Sequence, residues 1–466
     1  MSAVPGTPSS PPSPSSPSSP DVDADGLGEL ALRAFVYGFP LVFDLDQVAR
    51  YVTTGVGANP AAAFNSFSHA RTLSGPGDKF VTINNDTVYS MAQLDLSNGP
   101  LVLEVPDTDG RYYVLQFVSA WTDNFAYVGQ RATGTGAGRF LIAPPGWTGE
   151  VPSDCTAIES PTGVCSIVGR WAVDGDGDLA AVHALQDATT LTPLQPSDAS
   201  LVGLPSTDGL DGLSPALQFW EKYRRASRAF PPAARDKGLQ ASFARLWLTG
   251  EAPLDTAPLE VRTALEQGHS AGTEHLQQSL PGGQVEEVAG WLITLHVFDY
   301  NLDHFGVGTI DDARWRIEDS DRRLLIRAGA ALGGLWGNHA YEAAYLGTYV
   351  DDHGQQLTGA HDYTLTLAPT PPNEGFWSLT MYDVPDYYLV DNPILRYSIG
   401  DRTPGLVFDA DGSLTIRISA NEPKDAAARA NWLPAPPGPF RPMLRVYVPG
   451  SDVLDGRWNP APITRV

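Results

Sequence analysis

Hydrophobic and polar positions change their spacing twice along the chain. From residue 80 to 171, short runs of β-branched and aromatic residues alternate with Gly, Pro and Asp, which is typical of strands and turns. From 212 to 305 the apolar residues recur every three to four positions, which predicts helices, and a further helix is predicted over 321–336. From about residue 345 the alternation with a period of two returns. The order is therefore β-rich, helical, β-rich.

The first predicted helix carries a proline in its middle. Apolar residues recur at helical spacing over residues 27–53. Because proline lacks a backbone donor, Pro40 is expected to kink or split this helix near Phe39.

Composition divides the chain into five parts. The first twenty residues hold eight Ser and seven Pro, so residues 1–24 are expected to be a disordered tail. The predicted units are a β-rich domain over 25–185, a polar linker over 186–211, a helical segment over 212–340 and a β-rich domain over 341–466. No repeat with a period of about 20–50 residues is evident.

Charge and hydropathy argue against a nucleic-acid partner and against a membrane span. The 466 residues carry a formal net charge of −24, from 54 acidic and 30 basic side chains, whereas a nucleic-acid-binding protein needs a cationic face. No apolar run reaches the roughly 18 residues of a membrane span. The start of the sequence has neither the basic residues nor the apolar core of a secretory signal. We therefore expect a soluble, cytoplasmic protein that acts on a small molecule.

Cofactor motifs do not occur in the sequence, so the cofactor is unknown. No GxGxxG follows a strand, and the GTGAG at 134–138 lacks the Lys-Ser/Thr ending of a phosphate loop, which favours a turn. Neither GxSxG nor HExxH is present. Cys155 and Cys165 could pair across a short loop, but they lack zinc-site spacing and fit better as small strand or core residues.

Four polar residues interrupt two strand-like runs in VTINNDTVYS, residues 81–90. One interpretation is a turn, because Asn and Asp bond readily to their own backbone. The other is a catalytic site in which Asp86 is the acid/base, Tyr89 donates or polarises, and Arg111 clamps an anion.

Candidate substrate-binding residues combine aromatic, amide and charged side chains near predicted strand ends and loops. The same residue types equally suit the core and turns of a sandwich. The candidates are Asn84, Asn85, Tyr112, Trp121, Asp123, Asn124, Arg396 and Trp432.

A second polar cluster lies in LHVFDYNLDHFGVGTIDD, residues 295–312. On a helix, His296, Asp299 and Asp303 would share roughly one face. Asp299, Asp303 and His304 are the candidate ligands of a divalent metal. The alternative is a helix end with capping carboxylates.

Long motifs in both halves of the chain resemble a known pair of families. NNDTVYS at 84–90 and the segment 94–147 look like domain of unknown function 1254, whereas PPNEGFWSLTMYD at 371–383 and NWLPAPPGPFRPMLRVYVP at 431–449 look like domain of unknown function 1214. The resemblance implies a mainly β fold with α, in which two β-sandwich or jelly-roll-like domains are joined by a helical segment. It implies no reaction. Many relatives look exported and carry a signal peptide, and this chain departs from them in that respect.

The leading hypothesis is an enzyme with a small organic or lipid-like substrate in a cleft between the β-rich domains. Acid/base hydrolysis is expected because no organic-cofactor motif is visible, and a cofactor-independent lyase, isomerase or cyclase remains open. The rival hypotheses are a non-catalytic carbohydrate- or lipid-binding protein and a structural or interaction module.

Overall fold

The structure is a computed structural model that describes residues 26–79, 82–279 and 285–466. The predicted Ser/Pro-rich tail, residues 1–24, lies outside the described residues. Sheet-rich domains stand on either side of a helical segment in the sequence, so the predicted order of elements is confirmed.

A five-stranded and a four-stranded sheet form the first sandwich. Its strands are β1 (Phe67–His69), β2 (Thr87–Asp95), β3 (Leu101–Val105), β4 (Tyr113–Ser119), β5 (Asn124–Gly129), β6 (Gly138–Ala143), β7 (Thr156–Glu159), β8 (Val164–Ala172) and β9 (Thr190–Pro193). The sheet orders are β1-β2-β8-β4-β5 and β7-β6-β3-β9. Because side chains alternate along a strand, each sheet turns one face to the other, and Leu115 and Ile167 share a core with Leu103 and Ile142.

A six-stranded and a four-stranded sheet form the second sandwich. Its strands are β10 (Glu286–Val288), β11 (Trp291–Ile293), β12 (Ala343–Thr348), β13 (Tyr363–Leu367), β14 (Asn373–Asp383), β15 (Ser398–Gly400), β16 (Leu414–Ser419), β17 (Trp432–Pro434), β18 (Phe440–Pro449) and β19 (Thr464–Arg465). The sheet orders are β10-β11-β12-β18-β14-β15 and β17-β16-β13-β19. Leu379 and Leu444 of the first sheet share a core with Leu365 and Ile416 of the second.

The two sandwiches have the same topology. Each strand from β1 to β9 corresponds to the strand whose label is ten higher, and β10 is an addition at the edge. The correspondence extends to strand direction, because β6–β7 and β16–β17 are both parallel pairs. It also extends to register, since Tyr89 lies across from Arg170 just as Tyr345 lies across from Arg445. The chain is therefore an internal duplication at the level of whole domains.

The helices are short except in the segment between the sandwiches and at the start of the described chain. They are α1 (Leu27–Thr53), α2 (Gln130–Thr133), α3 (Leu179–Ala188), α4 (Pro215–Ala229), α5 (Lys237–Ser242), α6 (Leu259–Ser279), α7 (Ser320–Gly334), α8 (Ala426–Ala430) and α9 (Ser451–Leu454). Helix α1 packs against α4, α6 and α7, so it joins the helical segment in space. Within the described residues, no helix is long and apolar enough to cross a membrane.

Helix α1 continues through Pro40, so the expected split near Phe39 does not occur. Proline removes a single helical hydrogen bond, whereas the packed face of α1 contributes many apolar contacts to a common core. Gly38 allows a close contact with α4, because a Cβ at this position would lie 2.6 Å from the Tyr223 ring.

Two further segments differ from their sequence interpretation. Strand β9, residues 190–193, pairs with β3, so the first sandwich reaches into the predicted linker. Residues 294–312 contain turns and no helix, so the predicted helical face of His296, Asp299 and Asp303 is not formed. Both cysteines are free, and Cys165 is buried in β8.

Candidate functional site

A cleft of about 2170 Å³ lies where the helical segment meets both sandwiches. Apolar side chains of helices α1 and α7 form one wall, among them Leu32, Val36, Leu325 and Leu332. Polar side chains from the sheets line the cleft as well. They include Asn84, Tyr89, Arg170, Tyr345, Arg445 and Tyr447.

The first sandwich contributes a cross-strand pair of Tyr89 and Arg170. The Arg170 guanidinium lies 5.4 Å from the centre of the Tyr89 ring, and the residue is only 7% exposed. It donates to the side-chain oxygen of Gln116 at 3.0 Å and to the backbone oxygen of Trp336 at 2.9 Å. A neighbouring strand and the segment before β12 therefore fix the direction of this guanidinium.

The second sandwich contributes the equivalent pair of Tyr345 and Arg445. Arg445 is 3% exposed and donates to Thr380 Oγ1 at 3.0 Å, to the backbone oxygen of Thr82 at 2.9 Å and to Tyr382 Oη at 2.8 Å. Thr82 precedes β2 of the first sandwich. Each buried arginine is thus bonded to the chain just before the tyrosine-bearing strand of the other sandwich.

Both arginines are buried without an ion pair. Within residues 26–79, 82–279 and 285–466, neither guanidinium lies within 4.0 Å of a carboxylate oxygen. Asp86 acts electrostatically on Arg445 from a greater distance. Since a buried charge is costly unless it is paired, the cleft carries positive charge that neutral hydrogen-bond acceptors only partly compensate.

Tyr447 of the second sandwich is a further polar side chain in the lining of the cleft. Burial raises the pKa of Tyr447 well above its usual value, so the phenol is neutral. Asn84 Nδ2 donates to Tyr447 Oη at 2.9 Å and to Thr87 Oγ1 at 2.7 Å. The predicted candidate Asn84 is therefore part of the cleft lining.

Asp86 lies at the interface of the two sandwiches and is not among the described residues that line the cleft. Its carboxylate accepts hydrogen bonds from Ser378 and, at 3.4 Å, from Ser398. Arg402 donates to its backbone oxygen at 3.1 Å. Asn84 also accepts from the Asp86 backbone N–H, so the predicted turn is present beside the interdomain contact.

Glu342 of the second sandwich occupies the position equivalent to Asp86, three residues before the paired tyrosine. Arg131 Nε donates to Glu342 Oε2 at 2.6 Å, and Tyr112 Oη donates to Oε1 at 3.0 Å. Arg131 corresponds to Arg402, so the contacts between the sandwiches are reciprocal. Such an exchange is the pattern of a two-fold interface.

Arg111 forms its ion pair with Asp178 rather than with Asp86. Its Nη2 lies 2.7 Å from Asp178 Oδ1, and its Nη1 donates to the Ala172 backbone oxygen at 2.8 Å. Hydrogen bonds from Arg111 hold the pKa of Asp178 below its usual value. The structure therefore does not bring Arg111 together with Asp86 and Tyr89.

The remaining candidates of the first sandwich support its contacts with neighbouring segments. Tyr112 is buried against Phe376, with the ring centres 5.4 Å apart. The other bonds join Asn85 to the Ser74 backbone oxygen, Trp121 to the Phe230 backbone oxygen, Asp123 to Arg327, and Asn124 to the Gly337 backbone oxygen. Trp121 and Asp123 line a smaller cavity of about 210 Å³.

The C-terminal candidates Arg396 and Trp432 form hydrogen bonds within the second sandwich. Arg396 Nη1 donates to the Trp432 backbone oxygen at 2.9 Å, and Trp432 Nε1 donates to the Ser419 backbone oxygen at 2.9 Å. These bonds connect β17 to β16 and to the loop between β14 and β15. Neither residue is among the described residues that line the cleft.

His296 lines the cleft and is hydrogen-bonded to a buried aspartate. Its Nδ1 lies 2.6 Å from Asp299 Oδ2, while the other oxygen of Asp299 has no partner among the described residues. The imidazole side chain is 48% exposed, whereas that of Asp299 is 1% exposed. Burial raises the pKa of Asp299, and the bond from His296 opposes this rise. With Nδ1 as the donor, the lone pair of Nε2 is free for acid/base work.

The candidate metal ligands are divided among other contacts. Asp303 accepts two hydrogen bonds from Arg235 Nε, at 2.7 and 2.9 Å, and His304 lines the smaller cavity. In the part of the chain that the structure describes, three metal-type ligand atoms converge instead at Asp351, Asp352 and His353. This group is mostly exposed and lies outside the cleft lining.

The sequence interpretation missed Arg170, Arg445, Tyr345 and Tyr447. A signal was present, because both arginines stand inside strands whose neighbours are apolar, in VGRWA and MLRVYV. A charged side chain at such a position is either at a surface or at a buried polar site. Only the packing of the two sandwiches against the helical segment distinguishes these cases.

Comparison with known proteins gives matches in structure and family. The crystal structure of the VPA0106 protein from Vibrio parahaemolyticus is similar with a TM-score of 0.70 at 26% identity, covering 94% of this chain and 100% of that chain. An uncharacterised protein from Burkholderia cenocepacia matches with a TM-score of 0.42 at 11% identity, covering 95% of this chain and 94% of the other. No curated protein matches the chain significantly.

The sequence also matches two families, each described as a protein of unknown function. DUF1254 matches residues 64–193, which cover the strands of the first sandwich, and DUF1214 matches residues 342–451, which cover most of the second. The order of the two families agrees with the one predicted from the motifs. The chain therefore belongs to the proteins in which a DUF1254 domain is followed by a DUF1214 domain.

Proposed function

We propose that the protein is an enzyme that hydrolyses a small organic or lipid-like substrate in the cleft, with His296 as the general base. The observation that carries this proposal is the 2.6 Å contact between His296 Nδ1 and buried Asp299 at the cleft. An imidazole oriented by a carboxylate is a recurrent acid/base device in hydrolases.

Asp299 is a positioning residue in this mechanism. Its carboxylate accepts from Nδ1–H, which leaves Nε2 as the acceptor of a proton. Nε2 takes a proton from water, and the water oxygen attacks the carbonyl carbon of the substrate. The bond from that carbon to the leaving group then breaks, and the imidazolium returns its proton to the leaving group.

The lining of the cleft supports a lipid-like substrate. Ligand pockets usually measure about 300–1,000 Å³, so a cleft of about 2170 Å³ has room for an extended molecule. Leu32, Val36, Leu325 and Leu332 would cover an apolar chain on the helical side.

The test compares two histidines that line the same cleft. The probes are p-nitrophenyl acetate and p-nitrophenyl decanoate, with the rate of p-nitrophenol release as the readout. His296→Asn removes the base and should lower kcat/KM for the decanoate ester by about 10²–10⁴-fold. His275→Asn is the matched control, because His275 lines the cleft from helix α6.

Asp299→Asn should lower kcat with little change in KM, since the substrate does not contact Asp299. Equal activity of His296→Asn and His275→Asn would remove His296 from the mechanism. Faster turnover of the decanoate ester than of the acetate ester would support the lipid-like class.

The second candidate function is non-catalytic binding of a lipid, which the apolar wall of the cleft supports by itself. Mass spectrometry of a bound amphiphile before and after incubation separates the candidates. An unchanged ligand indicates binding. Hydrolysis gives two products whose masses sum to that of the ligand plus one water. A product of unchanged mass with a new fragmentation pattern indicates an isomerase or cyclase.

A further inference from the structure

We propose that Arg170 and Arg445 together bind the compact oxyanion headgroup of an amphipathic ligand in the cleft. This inference rests on the proposed function in one respect, namely that the cleft takes a lipid-like molecule. It adds the chemical class of the headgroup and the residues that select it.

The first argument is charge. Arginine remains protonated at physiological pH, and Arg170 and Arg445 are each at least nine-tenths buried. The groups to which they are hydrogen-bonded are amide, hydroxyl and backbone oxygens, none of which carries a formal charge. The carboxylates with an electrostatic effect on them, Asp86 and Glu342, are already bonded to serine hydroxyls and to Arg131. An incoming anion would supply the missing charge.

The second argument is convergence. Arg170 and Arg445 line the same cleft although they belong to different sandwiches. Asn84, just before β2 of the first sandwich, donates to Tyr447 Oη of the second sandwich at 2.9 Å, so polar side chains from both sandwiches meet in this cleft. The arginines occupy equivalent positions in the duplicated topology, so the same strand geometry directs both towards the junction.

The third argument is preorganisation. Each guanidinium is bonded to a backbone carbonyl in the segment before the tyrosine-bearing strand of the other sandwich, Arg170 to Trp336 and Arg445 to Thr82. These bonds restrict the side chains before any ligand arrives, which reduces the entropy lost on binding. The hydroxyl-bearing side chains of Tyr89 and Tyr345 border the same space and can donate to an oxyanion.

Carboxylate and phosphate are the headgroups that guanidinium recognises best, since its fork of N–H donors matches their oxygens. Isothermal titration calorimetry on the full chain would use decanoate, decyl phosphate and 1-decanol, which share one alkyl chain. We expect decanoate or decyl phosphate to bind with one-to-one stoichiometry, and more tightly than 1-decanol. The stronger of the two anions identifies the headgroup.

Arg170→Gln and Arg445→Gln should each weaken binding of the preferred anion by about 30-fold or more, because truncating one partner of a buried charge pair costs about 2 kcal/mol or more. Binding of 1-decanol should stay within about 3-fold of wild type, since the alcohol carries no charge for the guanidinium to recognise. Arg322→Gln is the control, because Arg322 is exposed on α7 at the same cleft and gives the same change in net charge.

Circular dichroism and thermal melting would establish that the variants are folded. If a glutamine variant does not fold, Arg170→Lys or Arg445→Lys, which keeps the charge, takes its place. Lysine should retain more affinity for the anion than glutamine. Equal affinity of decanoate, decyl phosphate and 1-decanol for the wild type would overturn the headgroup site while leaving the cleft as a lipid site. Failure of all three to bind would overturn both.

Discussion

Arg170 and Arg445 occupy equivalent positions in two sandwiches of the same topology, each across from a tyrosine and each bonded to a backbone carbonyl just before the tyrosine-bearing strand of the other sandwich. The equivalence extends across the sheets. Arg170 lies across from Val114, which in turn lies across from Gly129 on the following strand of the sheet. Arg445 lies across from Ser378 in the same way, and Ser378 lies across from Gly400. The cleft is therefore a product of how the duplicated domains face one another.

Replacing Asp86 tests whether this residue is an interdomain contact or a catalytic base. The contacts with Ser378 and Ser398 predict that Asp86→Asn destabilises the fold by about 1–3 kcal/mol. They also predict that kcat/KM for p-nitrophenyl decanoate changes less than about 3-fold, well below the 10²–10⁴-fold typical of a lost base. Urea unfolding and steady-state kinetics measure the two effects. A folded variant with activity reduced at least 100-fold would instead support the assignment of Asp86 as the base.

The buried ion pair between Arg131 and Glu342 should hold the sandwiches together. Glu342 has a side chain only 1% exposed, so Arg131→Ala leaves a buried carboxylate without its cation. We expect a loss of about 3–5 kcal/mol in the free energy of unfolding. Arg139→Ala is the matched control, because the Arg139 side chain is 42% exposed and solvent screens its ion pairs, so that they should contribute little to stability. Similar losses in both variants would contradict this assignment.

Asp44 should make stability fall as pH rises. Burial raises the pKa of Asp44 from 3.8 to about 8, although the bond from Trp336 Nε1 at 2.7 Å opposes this shift. Between these values the folded chain holds a proton that the unfolded chain has lost, so the free energy of unfolding decreases by at most about 1.4 kcal/mol per pH unit. Stability from this group is complete below pH 3.8 and is lost as the pH approaches about 8.

Asp44→Asn should remove this contribution, because a carboxamide does not titrate. Urea midpoints at pH 5, 6, 7 and 8 would be compared with those of Asp46→Asn, whose residue is partly exposed beside Lys222. We expect the slope against pH to become less negative only in Asp44→Asn. Parallel slopes in both variants would show that Asp44 is ionised in the folded protein.

The equivalent glycines at the ends of β5 and β15 should be intolerant of a side chain. A Cβ at Gly400 would lie 2.1 Å from the Trp377 backbone oxygen, and one at Gly129 would lie 2.2 Å from that of Tyr113. Gly400→Ala must separate β14 from β15, at a cost of about 1–3 kcal/mol. Gly438→Ala is the control, because a Cβ there has no atom within 4 Å among the described residues. A normal melting temperature for Gly400→Ala would contradict this prediction.

Local sequence pattern was sufficient to predict the β-rich, helical, β-rich order of the chain. Strands β3 and β6 lie within residues 80–171, and β16 lies after residue 345, which are the segments whose alternation predicted strands. Alternation in these runs follows from the pleat of a strand, which is a property of neighbouring residues. The long family motifs added the sandwich fold and the helical segment between the sandwiches.

Pattern was less informative where packing competes with local preference. Pro40 indicated a broken helix, yet the buried face of α1 keeps the helix continuous. Residues 294–312 have apolar spacing that suits a helix, but the structure has turns there, and these bring His296 to Asp299 in another way.

The sequence by itself determined the order of β-rich and helical segments, the two-family organisation and the chemical types available for a site. Tertiary structure alone decided that Arg170 and Arg445, 275 positions apart in the numbering, line one cleft and that Asp86 faces the other sandwich. The physical reason is that strand formation depends on residues adjacent in sequence, whereas the cleft arises where sheets of two domains meet helices α1, α6 and α7. No short-range pattern records which faces will come together.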